Sequence, residues 1–195
     1  MFKQPDNIQV FLPVWLSEFA KEKSFIKDIE DRMSFVIEAS NRNVVENTGG
    51  PFAAAIFESE SGKLISLGVN LVTTKGLSML HAEMIAFSLA QKKIGTYDLG
   101  AEGMAKHELV TSTEPCAMCF GAIPWSGVRR VVTAARDADA RSIGFDEGPK
   151  LKDWRAALLE RQIEVVCDVK RNEAKEVLEE YLRSGGLIYN SRELS

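Results

Sequence analysis

The chain has 195 residues, of which 45% are hydrophobic and 27% are charged, and its net charge at pH 7 is −4. This length and composition predict one soluble domain spanning residues 1–195, and the acidic balance argues against a protein that binds nucleic acid by neutralising phosphates. Three cysteines are too few for a disulfide framework, and no apolar run fits a signal peptide or a membrane span. The cytoplasm, a reducing compartment, is therefore the expected location.

The predicted elements begin with helices and continue as alternating strands and helices. An N-terminal helical extension over about residues 1–25 precedes one amphipathic helix, or two abutting helices, over about residues 24–46, which Gly49, Gly50 and Pro51 are expected to end. Two strands follow at residues 52–57 and 64–72, joined by a turn at Ser61 and Gly62. Later helices are predicted over residues 81–91, 116–125, 151–161 and 172–183, and later strands over residues 107–112, 128–134 and 163–169. This order predicts an α/β domain with a mixed sheet between helical layers, ending in a C-terminal helix and tail over about residues 170–195.

Two short segments carry side chains that bind metals. One contains His81 and Glu83, and the other contains Cys116 and Cys119 directly after Pro115. If Cys116 opens a helix, the spacing puts both sulfurs on one face, and the helix N-terminus favours the thiolates that a metal needs. Two thiolates and one imidazole are three protein ligands, the number typical of a catalytic zinc site with a fourth position left to water. We therefore predict one zinc ion bound by His81, Cys116 and Cys119.

Glu83 is the candidate catalytic residue. It lies two residues after His81, so on one helix the two side chains are expected to point in different directions. That separation suits a carboxylate beside the water position better than a fourth ligand, and such a carboxylate can take a proton from the water and return it to a leaving amine.

Each piece also has a simpler interpretation. The C-x-x-C pair is compatible with a structural half-site or a redox pair, His81 with a hydrogen-bonded histidine, and Glu83 with a solvated helix residue. A structural zinc site needs four protein ligands, and the rest of the chain offers only Cys167, in a strand pattern, and His107, which looks like a strand-edge residue. The combination therefore favours an open, catalytic site.

The order H-x-E followed by P-C-x-x-C resembles the signature of zinc deaminases that act on cytosine, adenine or guanine rings. The resemblance extends over about residues 49–148 and is greatest to bacterial guanine deaminases. It implies a cytidine deaminase-like fold, in which three α/β/α layers contain a central mixed five-stranded sheet. It also implies hydrolysis of a free base, guanine to xanthine and ammonia, with one zinc ion per subunit. Finally, it implies a homodimer whose C-terminal segment, here near Tyr189, covers the neighbour's active site.

The same resemblance implies which residues meet the substrate: Phe52, Asn70, Ala82, Trp125, Asp146 and Glu147. Asn70 matches an asparagine whose amide contacts the purine edge, and Trp125 ends a run whose tryptophan packs against the base. Glu147 ends a Gly-Phe-Asp-Glu segment whose last carboxylate contacts the guanine and assists its protonation. Taken alone, Asn70 is also compatible with a turn, Trp125 with the core, and Asp146 and Glu147 with a solvated acidic loop.

Three other functions stay open at this point. A tRNA adenosine deaminase shares the sequence from Pro115 to Ala122, although four basic and four acidic residues of the last helix cancel and leave no basic face. A deaminase of cytosine or of a related aminated ring, such as a triazine, would use the same metal site. A structural zinc module without turnover would need the three ligands but not Glu83.

Overall fold

The structure, a computed structural model, describes residues 4–190. Its strands are β1 (Ala53–Glu58), β2 (Leu64–Val69), β3 (His107–Thr113), β4 (Arg130–Ala135) and β5 (Glu164–Val166). Its helices are α1 (Val14–Glu22), α2 (Ile29–Val45), α3 (Val72–Lys75), α4 (Ala82–Ile94), α5 (Ala117–Ser126), α6 (Asp137–Ser142), α7 (Trp154–Leu159) and α8 (Arg171–Arg183). None of the described helices is both long and apolar enough to cross a bilayer.

The five strands form one sheet in the order β2-β1-β3-β4-β5. β1 is antiparallel to β2 and to β3, whereas β3, β4 and β5 run parallel. The antiparallel pair is a hairpin whose turn contains Gly62 at a φ of 74°, as the sequence indicated. Parallel neighbours require crossover connections, which α5 provides between β3 and β4, and α6 and α7 between β4 and β5. The mixed five-stranded sheet is therefore confirmed.

Helices cover both faces of the sheet. Because successive strand residues point to opposite faces, Val110 and Val132 pack with residues of α1, α2 and α8, whereas Leu109 and Val131 pack with residues of α4, α5 and α7. All four side chains are fully buried. The prediction of three α/β/α layers is confirmed.

α2 begins where the sequence supplies a cap and ends earlier than predicted. The Asp28 carboxylate accepts hydrogen bonds from the backbone N–H groups of Glu30 (2.8 Å) and Asp31 (3.3 Å), which satisfies the helix start. After Val45 the chain leaves the helix through Asn47, which has the left-handed φ of 53°. The expectation that the glycines at 49 and 50 end this helix is therefore wrong.

Gly49 is required for a different reason. A Cβ at this position would lie 1.8 Å from the carbonyl oxygen of Asn70, so only glycine lets the two segments pass each other. Phe52 and Asn70 lie next to this crossing, at the same end of the sheet.

Two strands are shorter than predicted because side-chain and backbone geometry ends them. β2 stops at Val69, since the side-chain oxygen of Asn70 accepts a hydrogen bond from the N–H of Val72 (3.2 Å) and starts α3. β5 stops at Val166, and Asp168 and Lys170 then adopt positive φ values of 64° and 52°. The short helix α6 was not predicted, because six residues carry too little periodicity to be recognised.

Candidate active site

The two predicted metal-binding segments meet where α4 and α5 begin. His81 is the N-cap residue of α4, Cys116 is the N-cap residue of α5, and Cys119 lies in the first turn of α5. Cys116 follows the carboxyl end of β3, which is where sites form in parallel α/β sheets. Two helix N-termini therefore converge on one point, as the sequence indicated.

The ligand atoms are spaced for one ion. His81 Nδ1 lies 3.5 Å from Cys116 Sγ and 3.6 Å from Cys119 Sγ, and the three ligand atoms all lie within 4.8 Å of one another. Tetrahedral zinc, with Zn–N near 2.05 Å and Zn–S near 2.3 Å, requires an N···S separation of about 3.6 Å. The observed distances fit this requirement. Among residues 4–190 no other group of three His, Cys, Asp or Glu side chains is arranged in this way.

The remaining histidine and cysteine lie elsewhere. His107 begins β3, at the opposite end of that strand from Cys116, where it is buried and its Nδ1 lies 2.7 Å from the carbonyl oxygen of Leu99. It lies at the end of its strand, as the sequence indicated, and that strand is the central one of the sheet. Cys167 is half-buried and packs against the core on the α4 side. Neither residue supplies a fourth ligand, so the geometry fits the open, three-ligand arrangement.

Glu83 lies in the first turn of α4 and borders the same cavity as His81, with 7% of its surface exposed. His81 precedes the helix in extended backbone with a ψ of 155°, so both side chains reach the cavity, and Glu83 is not part of the group of metal-binding atoms. Thr111, on β3, donates a long hydrogen bond of 3.5 Å to Glu83 Oε1. The structure therefore places a buried carboxyl group beside the ligand cluster, in contact with Cys119.

The electrostatics of the cluster favour cation binding. Burial raises the pKa of Glu83, and the negative charge of Cys116 adds to this effect. A hydrogen bond from Cys119 lowers the pKa of Cys116 to about 4, against burial and with help from His81. Burial alone would lower the pKa of His81, but its contact with Cys116 outweighs burial and raises it. A bound divalent cation would reduce the repulsion among these acidic groups. Metal ions stabilise the deprotonated forms of their ligands.

A cavity of about 670 Å³ lies in front of the cluster. Phe52 and Phe145 form part of its wall in edge-to-face contact, with ring centroids 5.0 Å apart. Asn70 is 1% exposed and also borders the cavity. Because its Oδ1 accepts from Val72, only its Nδ2 lacks a partner among the described residues. The turn interpretation and the substrate interpretation of Asn70 are thus compatible, since one end of its amide holds the turn and the other stays free.

The two carboxylates of the Gly-Phe-Asp-Glu segment have different surroundings. Glu147 is buried beside the cavity, where burial, followed by the charges of Cys116 and Glu83, raises the pKa of its carboxyl to about 8. Its carbonyl oxygen accepts a hydrogen bond from the N–H of Ala117 (2.9 Å), which joins the segment to the start of α5. Asp146 lies at the exposed rim and pairs with Arg141 at 3.5 Å. A solvated acidic loop therefore describes Asp146 but not Glu147.

Trp125 lies neither in the core nor in the wall of this cavity. It is 85% exposed and borders a separate cleft with Phe120 and Leu151. The core interpretation is wrong, because Trp125 follows Cys119 by six residues and projects from a different face of α5. Ala82 is fully buried in the core on the α4 side and is not part of the cavity wall.

Residues 26–135 match the family described as the cytidine and deoxycytidylate deaminase zinc-binding region. The chain belongs to this family. It is therefore a zinc-dependent deaminase, and the fit of His81, Cys116 and Cys119 to tetrahedral zinc agrees with that assignment.

One relative and two solved structures show which deaminases this chain is similar to. Guanine deaminase of Bacillus subtilis (strain 168) is 40% identical over 115 residues, which are 59% of this chain and 69% of the relative. A solved structure of guanine deaminase from Nitrosomonas europaea is 44% identical with a TM-score of 0.89, covering 93% of this chain and 100% of that one. A further solved structure, a complex with 2,6-diaminopurine, is 46% identical with a TM-score of 0.90, covering 96% and 99%.

The described tail of the deaminase lies across its own cavity. Tyr189 packs edge-on against Phe145, with centroids 5.1 Å apart. Asn190 fastens the tail, since its Oδ1 accepts from the N–H of Asp146 and its Nδ2 donates to the carbonyl oxygen of Gly144, both at 2.9 Å. This placement contrasts with the expected cover over a neighbour's site. The last five residues of the chain lie outside the described range.

Sequence reasoning missed several residues of the cavity wall. Phe145 stood inside the Gly-Phe-Asp-Glu segment, but no pattern showed that its ring would meet Phe52. Thr113 also borders the cavity and shares a face of β3 with Thr111, which contacts Glu83, but no sequence pattern marked either threonine. Asn190 carried no signal, since its partners are distant in the sequence.

Proposed function

We propose that this protein is a guanine deaminase, which converts guanine and water to xanthine and ammonia. One observation carries the proposal: a three-ligand zinc cluster and a buried carboxyl group border a cavity of about 670 Å³, within the range of small-molecule sites. Support for guanine comes from the two guanine deaminases that are 40% and 44% identical to this chain.

Glu83 moves the protons. Zinc held by His81, Cys116 and Cys119 would supply a Lewis acid that lowers the pKa of water at the open position. Glu83 takes a proton from the attacking water and delivers it to a ring nitrogen as the water oxygen adds to the amino-bearing carbon. It then takes the second proton from the newly added hydroxyl group and delivers it to the amine, so that the C–N bond breaks and ammonia leaves. The raised pKa of Glu83 suits both roles, because a carboxyl group with a pKa above its ordinary value accepts and keeps a proton more readily before passing it on.

The cavity wall holds the ring. Phe52 offers an aromatic edge, and the free Nδ2 of Asn70 donates to an acceptor on the purine. Glu147 interacts with the opposite edge and assists its protonation, since the pKa of about 8 keeps a proton available there at neutral pH. Although the Ala82 side chain is buried away from the cavity wall, its backbone N–H is the proposed substrate contact, because it lies in the first turn of α4, between His81 and Glu83, and has no partner within the helix. Asp146 lies at the rim, where it orients the segment that carries Glu147.

The homodimer is part of the proposal. Exposed apolar side chains lie on and beside α5: Met118 (39% exposed) and Trp125 (85%) are two helical turns apart on α5, and Leu151 (57%) borders the same cleft as Trp125. A second copy of the chain that covers this surface would bury them, and only such a copy would give Trp125 a place beside a base. The net charge of −4 supports a free base over a nucleic acid as the substrate. The cytoplasmic location stays a prediction.

The test is release of ammonia from a panel of guanine, adenine, cytosine, their nucleosides and tRNA. We expect turnover of guanine above all others. Glu83→Gln should keep stoichiometric zinc and lose at least the roughly 100- to 10,000-fold that acid–base catalysis contributes, whereas Glu38→Gln, an exposed change on α2, should leave the rate unaltered. Turnover of tRNA but not guanine would assign the alternative substrate, and equal rates for Glu83→Gln and the wild type would rule out the enzyme mechanism.

A further inference from the structure

A chain of hydrogen bonds connects α1 to the turn that carries Asn70. Trp15 Nε1 donates to Thr48 Oγ1 (3.2 Å), and Thr48 Oγ1 donates to Asn43 Oδ1 (2.7 Å). Asn43 Nδ2 in turn donates to the carbonyl oxygens of Gly50 (2.8 Å) and Asn70 (2.9 Å). The two backbone segments that reach the cavity at Phe52 and Asn70 are therefore joined by one buried amide.

The side-chain amide of Asn43 can adopt only one orientation in this arrangement. It is fully buried on α2, and both partners of its Nδ2 are carbonyl oxygens, which only accept hydrogen bonds. Its Oδ1 is occupied by the Thr48 hydroxyl. The orientation of the amide is thus determined by its partners, and no residue without both a donor and an acceptor can replace it without leaving a buried group unpaired.

The same contacts determine where Asn70 points. Its carbonyl oxygen is held by Asn43, its N–H donates to the carbonyl oxygen of Phe52 (3.0 Å), and its Oδ1 accepts from Val72. The side-chain Nδ2 is the one hydrogen-bonding group of Asn70 without a partner among the described residues. A shift of the backbone carbonyl groups that Asn43 holds would therefore move the Nδ2 donor of Asn70, which faces the substrate.

Buried aromatic contacts hold α1 in place at the outer end of this hydrogen-bond chain. Trp15 and Phe19 are buried, and Phe19 stacks on Phe35 of α2 with ring centroids 4.9 Å apart. The Arg42 guanidinium lies 5.0 Å from the Trp15 ring. These contacts fix the indole N–H that meets Thr48.

We propose that Asn43 is a positioning residue for substrate binding, and that α1 supports it through Trp15 and Thr48. The proposal rests on the proposed function, because Asn70 is taken there to contact the purine. It gives the N-terminal helix a role in the active site, although no residue of α1 borders the cavity.

The test compares Asn43→Ala, Thr48→Val and Trp15→Phe with the wild type. Because one hydrogen bond contributes roughly 0.5–1.5 kcal/mol, we expect KM for guanine to rise by about 10-fold for Asn43→Ala and about 3-fold for Thr48→Val, with a smaller rise for Trp15→Phe. The kcat and the zinc content should change little, since the lost contact serves ground state and transition state alike. Thr48→Val keeps the size of its side chain, so it tests the proposal even if Asn43→Ala does not fold.

Ile163→Val is the matched control, because it removes one methyl group from the core on the α4 side and should cost similar stability. It should lower the melting temperature and leave KM unchanged. A rise in KM confined to the three variants supports the proposal, and lower melting temperatures with an unaltered KM overturn it.

Hydrogen exchange at the N–H of Asn70 separates this proposal from the proposed function. It should be faster in Thr48→Val than in Ile163→Val, whichever ring the enzyme accepts. Equal exchange in these two variants contradicts the role of Asn43, whereas an inactive wild type with guanine contradicts the substrate alone.

Discussion

At the scale of single residues, the site depends on side chains at the boundary between loop and helix. His81 and Cys116 are N-cap residues in extended backbone, so their side chains turn toward the cavity instead of following a helical face. This is why His81 and Glu83 share a cavity although they are only two residues apart. The positive ends of the two helices also favour thiolates nearby.

The ligand assignment makes a direct prediction at this scale. Cys116→Ser and Cys119→Ser should weaken zinc binding by more than the roughly 10- to 100-fold that loss of an outer-shell partner costs, because each removes a ligand itself. Both should also lower the melting temperature, since metal binding stabilises the folded state. Metal analysis and calorimetry would measure these effects. Cys167→Ser, the control, should retain zinc, and stoichiometric zinc in either ligand variant would disprove the assignment.

At the scale of elements, Asp139 joins α6 to α8. Arg171, at the start of α8, donates two hydrogen bonds of 2.8 Å to its carboxylate, and the N–H of Arg136 donates a third of 2.8 Å. The hydrogen bonds from Arg171 hold the pKa of Asp139 below its ordinary value of 3.8, against the effect of burial. The segment after α6 carries Phe145 and Glu147, so this contact supports the wall of the cavity from behind.

This contact predicts a pH dependence of stability. A carboxyl group whose pKa is lowered by folding stabilises the protein above its unfolded pKa, and that contribution is lost as the pH falls through the native value. Asp139→Asn should therefore reduce the free energy of unfolding at pH 7 by about 0.5–1 kcal/mol, because Arg171 is partly exposed to solvent. The difference from the wild type should begin to shrink as the pH falls below about 4, the unfolded value, and should vanish only below the lower native pKa. Denaturation across this pH range measures it, with the exposed Asp6→Asn as a neutral control; a gap that persists in acid would contradict the mechanism.

At the scale of the whole molecule, the surface around Trp125 is the proposed interface between two copies of the chain. Its exposed side chains lie beside the cavity, since Met118 belongs both to this surface and to the cavity wall. Contiguous exposed apolar surface of this kind marks an interface. A dimer formed here would place a second chain next to the mouth of the active site.

The dimer prediction is tested with Trp125→Glu. A buried and unpaired carboxylate is strongly unfavourable at an interface, so the variant should elute as a monomer while the wild type elutes with the mass of two chains. Tyr97→Glu is the matched control, because Tyr97 is an aromatic residue that is 83% exposed outside this surface. Light scattering after size-exclusion chromatography gives both masses. A wild-type monomer, or a dimer that tolerates the glutamate, would exclude this surface as the interface.

Much of the molecule could be predicted from the sequence because its signals are local. Alternation and helical spacing located the five strands and the longer helices, and the three ligands with Glu83 stood in two short segments whose geometry depends on neighbouring backbone. Boundaries were less predictable: Asn70 ends β2 through its own side chain, and Asn47 ends α2 before the glycines do.

Only the tertiary structure decided the features that depend on residues far apart in the chain. The burial that raises the pKa of Glu147, the exposure of Trp125 and the position of the tail over its own cavity arise from packing between distant segments. The hydrogen bonds around Asn43 join residues from α1, α2 and the end of β2, and none of these residues is distinctive alone. The ligand set could be predicted because short runs of neighbouring residues carry it. The substrate-binding wall could not, because its hydrogen bonds and contacts form only when the whole chain has folded.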